Sequence, residues 1–435
     1  MSSDKDEKTP YNLDNEDSDE KIFEFNLYKA SAIQGNAIAQ NRMGHEYFNG
    51  NSIIKKDHTE AIKWYKLSAI QGNAKAQNIL GNMYYNGEGT ESDYDEALKW
   101  YKLSADQGNT DAQYNLGEMY YKGESTKQNY EEAFKWFELS ATTLTNTKGN
   151  YEAQYHLATM YRDGLGTKKD LAEAFKWYKI SAEQGHADAQ NELGNMYYYG
   201  HGTTINYADA LKWCNASAIQ HNKFAENNLG DMYYYGDGVD QNYDSAFEWY
   251  TKSAEQGCSH AQNNLGDMYN DGSGMAINYK EATRLYKLSA DQGNVDAQYN
   301  LGCAYHRGNG VEKNYEEAIK WFKMSADEGE FEALCLGAIY RETKNYREAY
   351  NWYIKALEKE KYAEVLPRIE ALLRDFEVTT IVLKELFTDN KKLKNEINQL
   401  EGDNAHLSYM PNGAFEAYAS FTNNNSRVKK RKLSV

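Results

Sequence analysis

The chain has 435 residues, 41% of them hydrophobic, and carries a formal net charge of −17, which argues against nonspecific binding of nucleic acid or of an anionic membrane through its body. No apolar run is long enough to span a bilayer, and no basic segment followed by an apolar stretch opens the chain, so neither a membrane helix nor a secretory signal is predicted. A soluble, intracellular and chiefly cytoplasmic protein is expected.

In chain order, residues 1–20 hold eight acidic and two basic residues and almost nothing apolar, and are expected to be disordered. Residues 21–36 read as a lone helix, because Tyr28-Lys29-Ala30-Ser31-Ala32 matches the ending Tyr65 to Ala69 of a longer unit downstream. That unit then recurs. Tryptophan falls at Trp64, Trp100, Trp136, Trp177, Trp213, Trp249, Trp321 and Trp352, with Leu285 in the one gap, in steps of 36, 36, 41, 36, 36, 36, 36 and 31 residues. A fixed period of this length signals stacked two-helix units, none of which buries its apolar face alone.

Within one unit Ala76, Leu80, Met83 and Tyr84 share one face of a helix A, and Gly87 suits the left-handed position just past its end. Helix B opens with an N-cap at Asp57, Asp93, Asn129, Asp170, Asn206, Asn242, Asn278, Asn314 and Asn345, with Glu three residues on in all but Asn206 and Asn242. Ala97, Trp100, Tyr101 and Ala105 form its buried stripe. A glycine at mid-helix A costs about 1 kcal/mol relative to alanine. It returns nonetheless at Gly44, Gly81, Gly117, Gly194, Gly230, Gly266, Gly302 and Gly337, with Ala158 in the remaining copy, so a neighbouring side chain is predicted to need the space.

The pattern [AQ]-x-x-L-G-x-M-Y-x-x-G-x-G, then A-x-x-W-Y-x-x-S-A-x-x-G, resembles the Sel1-like repeat family, relatives of the tetratricopeptide repeats. It covers residues 37–359 and departs from the consensus by an insertion around Thr142 to Asn150, by Leu285, and by loss of the Gly-x-Gly turn after Tyr340. The resemblance implies an all-α, right-handed α/α solenoid of about nine repeats over 37–360, with a capping helix at 21–36. It also implies a non-catalytic adaptor that binds proteins or extended peptides on a concave face lined by helix A.

The face of helix A opposite Leu80 and Met83 gives a ladder of candidate partner-binding residues: Asn78, Asn82 and Tyr85; Tyr114, Glu118 and Tyr121; Tyr155, Thr159 and Arg162; Asn191, Asn195 and Tyr198; Asn227, Asp231 and Tyr234; Asn263, Asp267 and Asn270. Asparagine would bond an extended backbone, tyrosine would give rigid contact area, and the carboxylates favour basic partner segments. Catalysis and cofactors are not expected. Cys214, Cys258, Cys303 and Cys335 fit no metal or disulfide spacing and read as small core fillers, the histidines match no ligand motif, and Gly87-x-Gly89 lacks the strand and lysine of a phosphate loop. A β-lactamase-like hydrolase, as proposed for secreted relatives, is the enzymatic alternative.

Residues 361–377 are expected to cap the array. From 378 to 408, Leu386, Leu393, Leu400 and Leu407 are spaced by seven with Leu383, Asn390, Ile397 and Asn404 between them, which fits either a short zipper forming a parallel homodimer or an amphipathic helix folded back on the last repeat. Residues 409–435 form a polar tail with a basic cluster at Lys429, Lys430, Arg431 and Lys432, which resembles a nuclear import signal and equally fits a plain solvated basic tail. A nuclear or virus-host dimeric scaffold acting through this region is the alternative to the adaptor reading.

Overall fold

The computed structural model describes residues 13–51, 54–142, 149–325 and 330–357. The proposed C-terminal cap, the zipper with Leu386, Asn390, Leu393, Ile397, Leu400 and Leu407, and the basic cluster Lys429 to Lys432 lie outside the described residues, as do residues 1–12. Among the described residues there are nineteen helices and no strand, and none of the helices is long and apolar enough to cross a membrane.

Two compact units divide the chain, residues 1–225 and 226–435. In the first, α1 (Leu13–Ile33) precedes five A/B pairs: α2 (Ala37–Asn49) with α3 (His58–Ile70), α4 (Ala74–Asn86) with α5 (Tyr94–Ala105), α6 (Thr110–Lys122) with α7 (Tyr130–Ala141), α8 (Tyr151–Asp163) with α9 (Leu171–Glu183), and α10 (Ala187–Tyr199) with α11 (Tyr207–Ala218). In the second, α12 (Lys223–Tyr235), whose first residues belong to the other unit, is followed by α13 (Tyr243–Glu255). The pairs α14 (Ser259–Asp271) with α15 (Tyr279–Ala290), α16 (Val295–Arg307) with α17 (Tyr315–Ser325), and α18 (Glu330–Glu342) with α19 (Tyr346–Leu357) complete it. Within each unit helix A packs on its own helix B, as Tyr250 of α13 does against Gly230 of α12, and helix B packs on the next helix A. Helix α1 begins at Leu13, ahead of the capping helix expected at 21–36.

The turns follow from local chemistry. Asp93 Oδ1 accepts from the amides of Asp95 and Glu96, Asn129 and Asp170 cap their B helices in the same way, and Asn278 accepts from the Glu281 amide alone. Helix A has caps of its own, Asn36, Asn73, Asn109, Asn150 and Asn294, while His186 uses Nδ1 to accept from Ala189. Gly87 ends helix A in the left-handed conformation, φ 74° and ψ 35°. The second glycine of the turn has a different cause: a Cβ on Gly89 would overlap the carbonyl of His58 at the start of the preceding B helix.

The mid-helix glycine is explained by the residue after the tryptophan. A Cβ on Gly44 would lie 2.7 Å from the Tyr65 ring, and one on Gly117 or Gly302 would lie 2.8 Å from Phe137 or Phe322. The aromatic ring lies against bare backbone, which lets the two helices approach closely, and at Gly194 the Cys214 sulfur takes the same place. Ala158, the exception, sits in one buried cluster with Tyr178.

Polar side chains that the periodicity left without a role hold neighbours together. Ser68, Ser104, Ser140, Ser181, Ser217 and Ser289 each donate from helix B to the carbonyl of the first residue of their own helix A, at 2.6–2.8 Å. Buried Gln77 donates to the carbonyl of Ala69 in the preceding helix B (3.0 Å) and accepts from Gln107 (2.7 Å), and Gln40, Gln190 and Gln262 repeat both bonds. Replacing Gln77 with methionine keeps the shape but takes both bonds from the seam, leaving the Ala69 carbonyl only its turn bond from the Gly72 amide, with an expected loss of about 1–3 kcal/mol. The urea midpoint of the variant checks this.

Candidate partner-binding face

The ladder consists of three rungs per A helix: three residues before the glycine, one after it and four after it. The first rung does not face away from the core. Asn78, Asn191, Asn227 and Asn263 are buried, Asn78 at 8% exposure. The helical wheel accounts for contact with the unit's own helix B, whereas a stacked A helix also has a neighbouring A helix on its flank.

That neighbour supplies the partner. Asn115, two residues before its glycine, donates both to Asn78 Oδ1 and to Asn82 Oδ1, each at 3.1 Å, while the Tyr101 hydroxyl donates to Asn82 Oδ1 at 2.7 Å. The second unit repeats the arrangement with carboxylates. Asn264 donates to Asn227 (3.2 Å) and Asp231 (3.1 Å), and Asn300 to Asn263 and Asp267, both at 3.0 Å. The Tyr250 and Tyr286 hydroxyls donate to Asp231 (2.6 Å) and Asp267 (2.7 Å), and Asn227 and Asn263 donate to the second oxygens of those carboxylates. Burial pushes Asp231 and Asp267 up to about 6, against the opposing pull of these donors. First and second rungs are therefore committed to joining A helices, and a partner meets at most their edges.

Copies lacking this set use other pairs. Phe137 brings no hydroxyl to Glu118, which instead pairs with Lys122 (2.6 Å) and approaches His156 (3.3 Å), whose ring stacks on Phe137. Burial holds His156 below its ordinary value. Thr159 shares a hydrogen bond with Tyr178 (2.9 Å), and Arg162 pairs with Asp163 and Glu192. His186, accepting at Nδ1, carries its proton on Nε2 and donates to Glu152 at 2.9 Å, which lowers the Glu152 carboxyl. Tyr114 and Tyr155 line the same seam, half-buried against Phe137 and His186. Asn195, also half-buried, holds the second-rung position of α10.

The third rung is different. Tyr85, Tyr121, Tyr198 and Tyr234 are partly exposed, and each meets edge-on the tyrosine that opens its helix B, Tyr94, Tyr130, Tyr207 or Tyr243, at 5.2–5.3 Å between centroids. Tyr85 also donates to Glu124 at 2.8 Å. Two residues missed by the ladder extend it. Tyr199 and Tyr235 are 61% and 64% exposed and stand edge-on against Tyr198 and Tyr234. Their signal was the triple tyrosine 197–199 and 233–235, in place of Tyr84-Tyr85-Asn86 and Tyr120-Tyr121-Lys122 elsewhere. Among the described residues no group of three or more His, Cys, Asp or Glu is placed to hold a metal ion.

The Sel1 repeat profile matches nine successive segments: 37–73, 74–109, 110–142, 152–186, 187–222, 223–258, 259–294, 295–330 and 333–360. The structure is similar to that of c5321, a protective antigen present in uropathogenic Escherichia coli strains and displaying an SLR fold, with 30% sequence identity and a TM-score of 0.66 over 94% of this chain and 99% of that one. It is also similar to a Sel1 repeat protein from Oxalobacter formigenes, with 28% identity and a TM-score of 0.52 over 70% and 86% of the two chains. No curated protein matches the chain significantly.

Proposed function

Because this chain belongs to the Sel1 repeat family, we propose that it is a non-catalytic scaffold that docks partner proteins on the tyrosines at the C-terminal ends of its A helices. Sel1 and related repeats generally mediate protein–protein interaction, so the question for this chain is which surface does so. The observation that carries the reading is the pairing of Tyr198 with Tyr199, and of Tyr234 with Tyr235, as rigid aromatic edges braced from behind by Tyr207 and Tyr243. Tyrosine offers large contact area for little conformational entropy and is enriched at protein interfaces. Tyr85 and Tyr121 present the same element in the earlier repeats. Glu118, Asn195 and the outer edges of Asn82, Asp231 and Asp267 would supply polar contacts beside it.

The surroundings favour basic partner segments. Asp163 and Asp271 end their A helices, Glu124 and Asp237 stand two residues beyond theirs, and the whole chain is strongly acidic. A chain carrying Tyr198→Ser, Tyr199→Ser, Tyr234→Ser and Tyr235→Ser is expected to melt close to the unsubstituted protein yet to lose most of the partners captured from cells. An undiminished partner set with a folded variant would place recognition elsewhere. A parallel chain ending at residue 377 separates the repeats from the zipper and tail.

A further inference from the structure

At one seam the joining set is replaced by sulfur. Cys303 stands one residue after Gly302, the position of Asn82, Asp231 and Asp267, and Cys335 stands two before Gly337, the position of Asn115, Asn264 and Asn300. In those three copies the two positions are in direct contact at 3.0–3.1 Å. The first rung here is Tyr299, and the Cys335 thiol donates to its hydroxyl at 3.9 Å, just as Asn115 donates to Asn78. The register thus aims two half-buried thiols at each other across α16 and α18, and Phe322, unlike Tyr250 or Tyr286, brings no hydroxyl between them.

We propose that Cys303 and Cys335 are a reversible dithiol–disulfide site that ties helix A of the last described repeat to the one before it. The oxidant is a low-molecular-weight disulfide. One protein thiolate attacks it, forming a mixed disulfide and expelling one small thiolate; the second protein thiolate then displaces the other. The S–S bond of the oxidant is replaced by one in the protein, and the two protein protons leave on two reduced small thiols. The Cys335 thiol and burial push Cys303 upward, so little thiolate forms and exchange at this site is slow at neutral pH. Bridging closes a loop through α17 and removes open forms of the terminal repeat from the accessible ensemble. This inference is independent of the tyrosine face.

The test titrates the full chain with glutathione disulfide and reduced glutathione, quenches by alkylation and maps peptides without reduction. A Cys303–Cys335 cross-linked peptide is expected, cleaved by dithiothreitol, with Cys214 and Cys258 recovered unlinked. The equilibrium constant for bridging should exceed that in concentrated urea by on the order of a hundredfold, because the folded chain holds the ends together. A Cys303→Asn, Cys335→Asn chain restores the pair used at the other seams. It is expected to melt like the reduced protein and to gain no protection of residues 330–357 from proteolysis under oxidation. Recovery of the two cysteines only as separate glutathione adducts, or a bridging constant no larger than in urea, would overturn the proposal.

Discussion

Tyr250→Ala is expected to destabilise its repeat by about 3–5 kcal/mol, the range for removing a buried aromatic ring. Tyr250 is 2% exposed, and its ring covers the bare backbone of Gly230. Alanine would leave a cavity between α12 and α13 and expose the donors around Asp231 to a gap that neither helix fills. Tyr250→Phe separates the two contributions. It keeps the ring on Gly230 but takes one donor from a buried carboxylate, which should cost about 1–2 kcal/mol and raise the Asp231 carboxyl further. Since stability in a repeat array is a sum of neighbour terms, hydrogen exchange across 226–255 should show the loss more clearly than the whole-chain melt. Similar exchange in Tyr250→Ala and Tyr250→Phe would refute the packing account of the glycine.

The second large effect runs against the usual behaviour of acidic residues. Asp231 and Asp267 titrate at about 6 in the folded chain, above the ordinary value near 4, so between those limits the folded state holds protons that the unfolded state has released. Stability from these two sites therefore falls as pH rises through that window and is lowest above pH 6. Asp231→Asn with Asp267→Asn removes two buried charges and should stabilise the second unit at pH 7.5 by about 2 kcal/mol per site, with the gain shrinking toward pH 4.5. The chain contains its own precedent, because Asn82 already accepts from Tyr101 and Asn115 at the same rung. Denaturant unfolding of both proteins at the two pH values decides it. A gain independent of pH, or a loss at pH 7.5, would show that the carboxylates are fully compensated.

Those features that depend on a residue and its near neighbours were legible in the sequence. The period, the helix B caps, the left-handed Gly87 and the need for space at Gly81 all belong to this class, as each is settled within one hairpin. The residues that face the next repeat were not. A helical wheel places Asn78 relative to Leu80, but whether that side meets water or α6 depends on how successive hairpins are translated, which no single period encodes. The glutamines and serines recurred as visibly as the glycines, yet their bonding partners lie 30 or so residues away or at a preceding carbonyl. The exposed Tyr199 and Tyr235 stand one residue beyond the last rung, on a side of helix A that its core stripe alone does not mark.

The glutamine and serine bonds are made with the same atoms at nearly every joint, and the joint does not record which copy stands on either side. If the segment 74–109 were cut out in register, Gln113 would meet Ala69 as Gln77 does now, and Ser104 would leave together with its own acceptor, Ala74. Gene segments of this period can therefore be lost or copied by unequal crossing-over without creating a mismatched seam. Array length is then free to drift with the span of whatever is bound, whereas copies carrying private pairs, such as Glu118 with His156 or Cys303 with Cys335, are fixed in their neighbours.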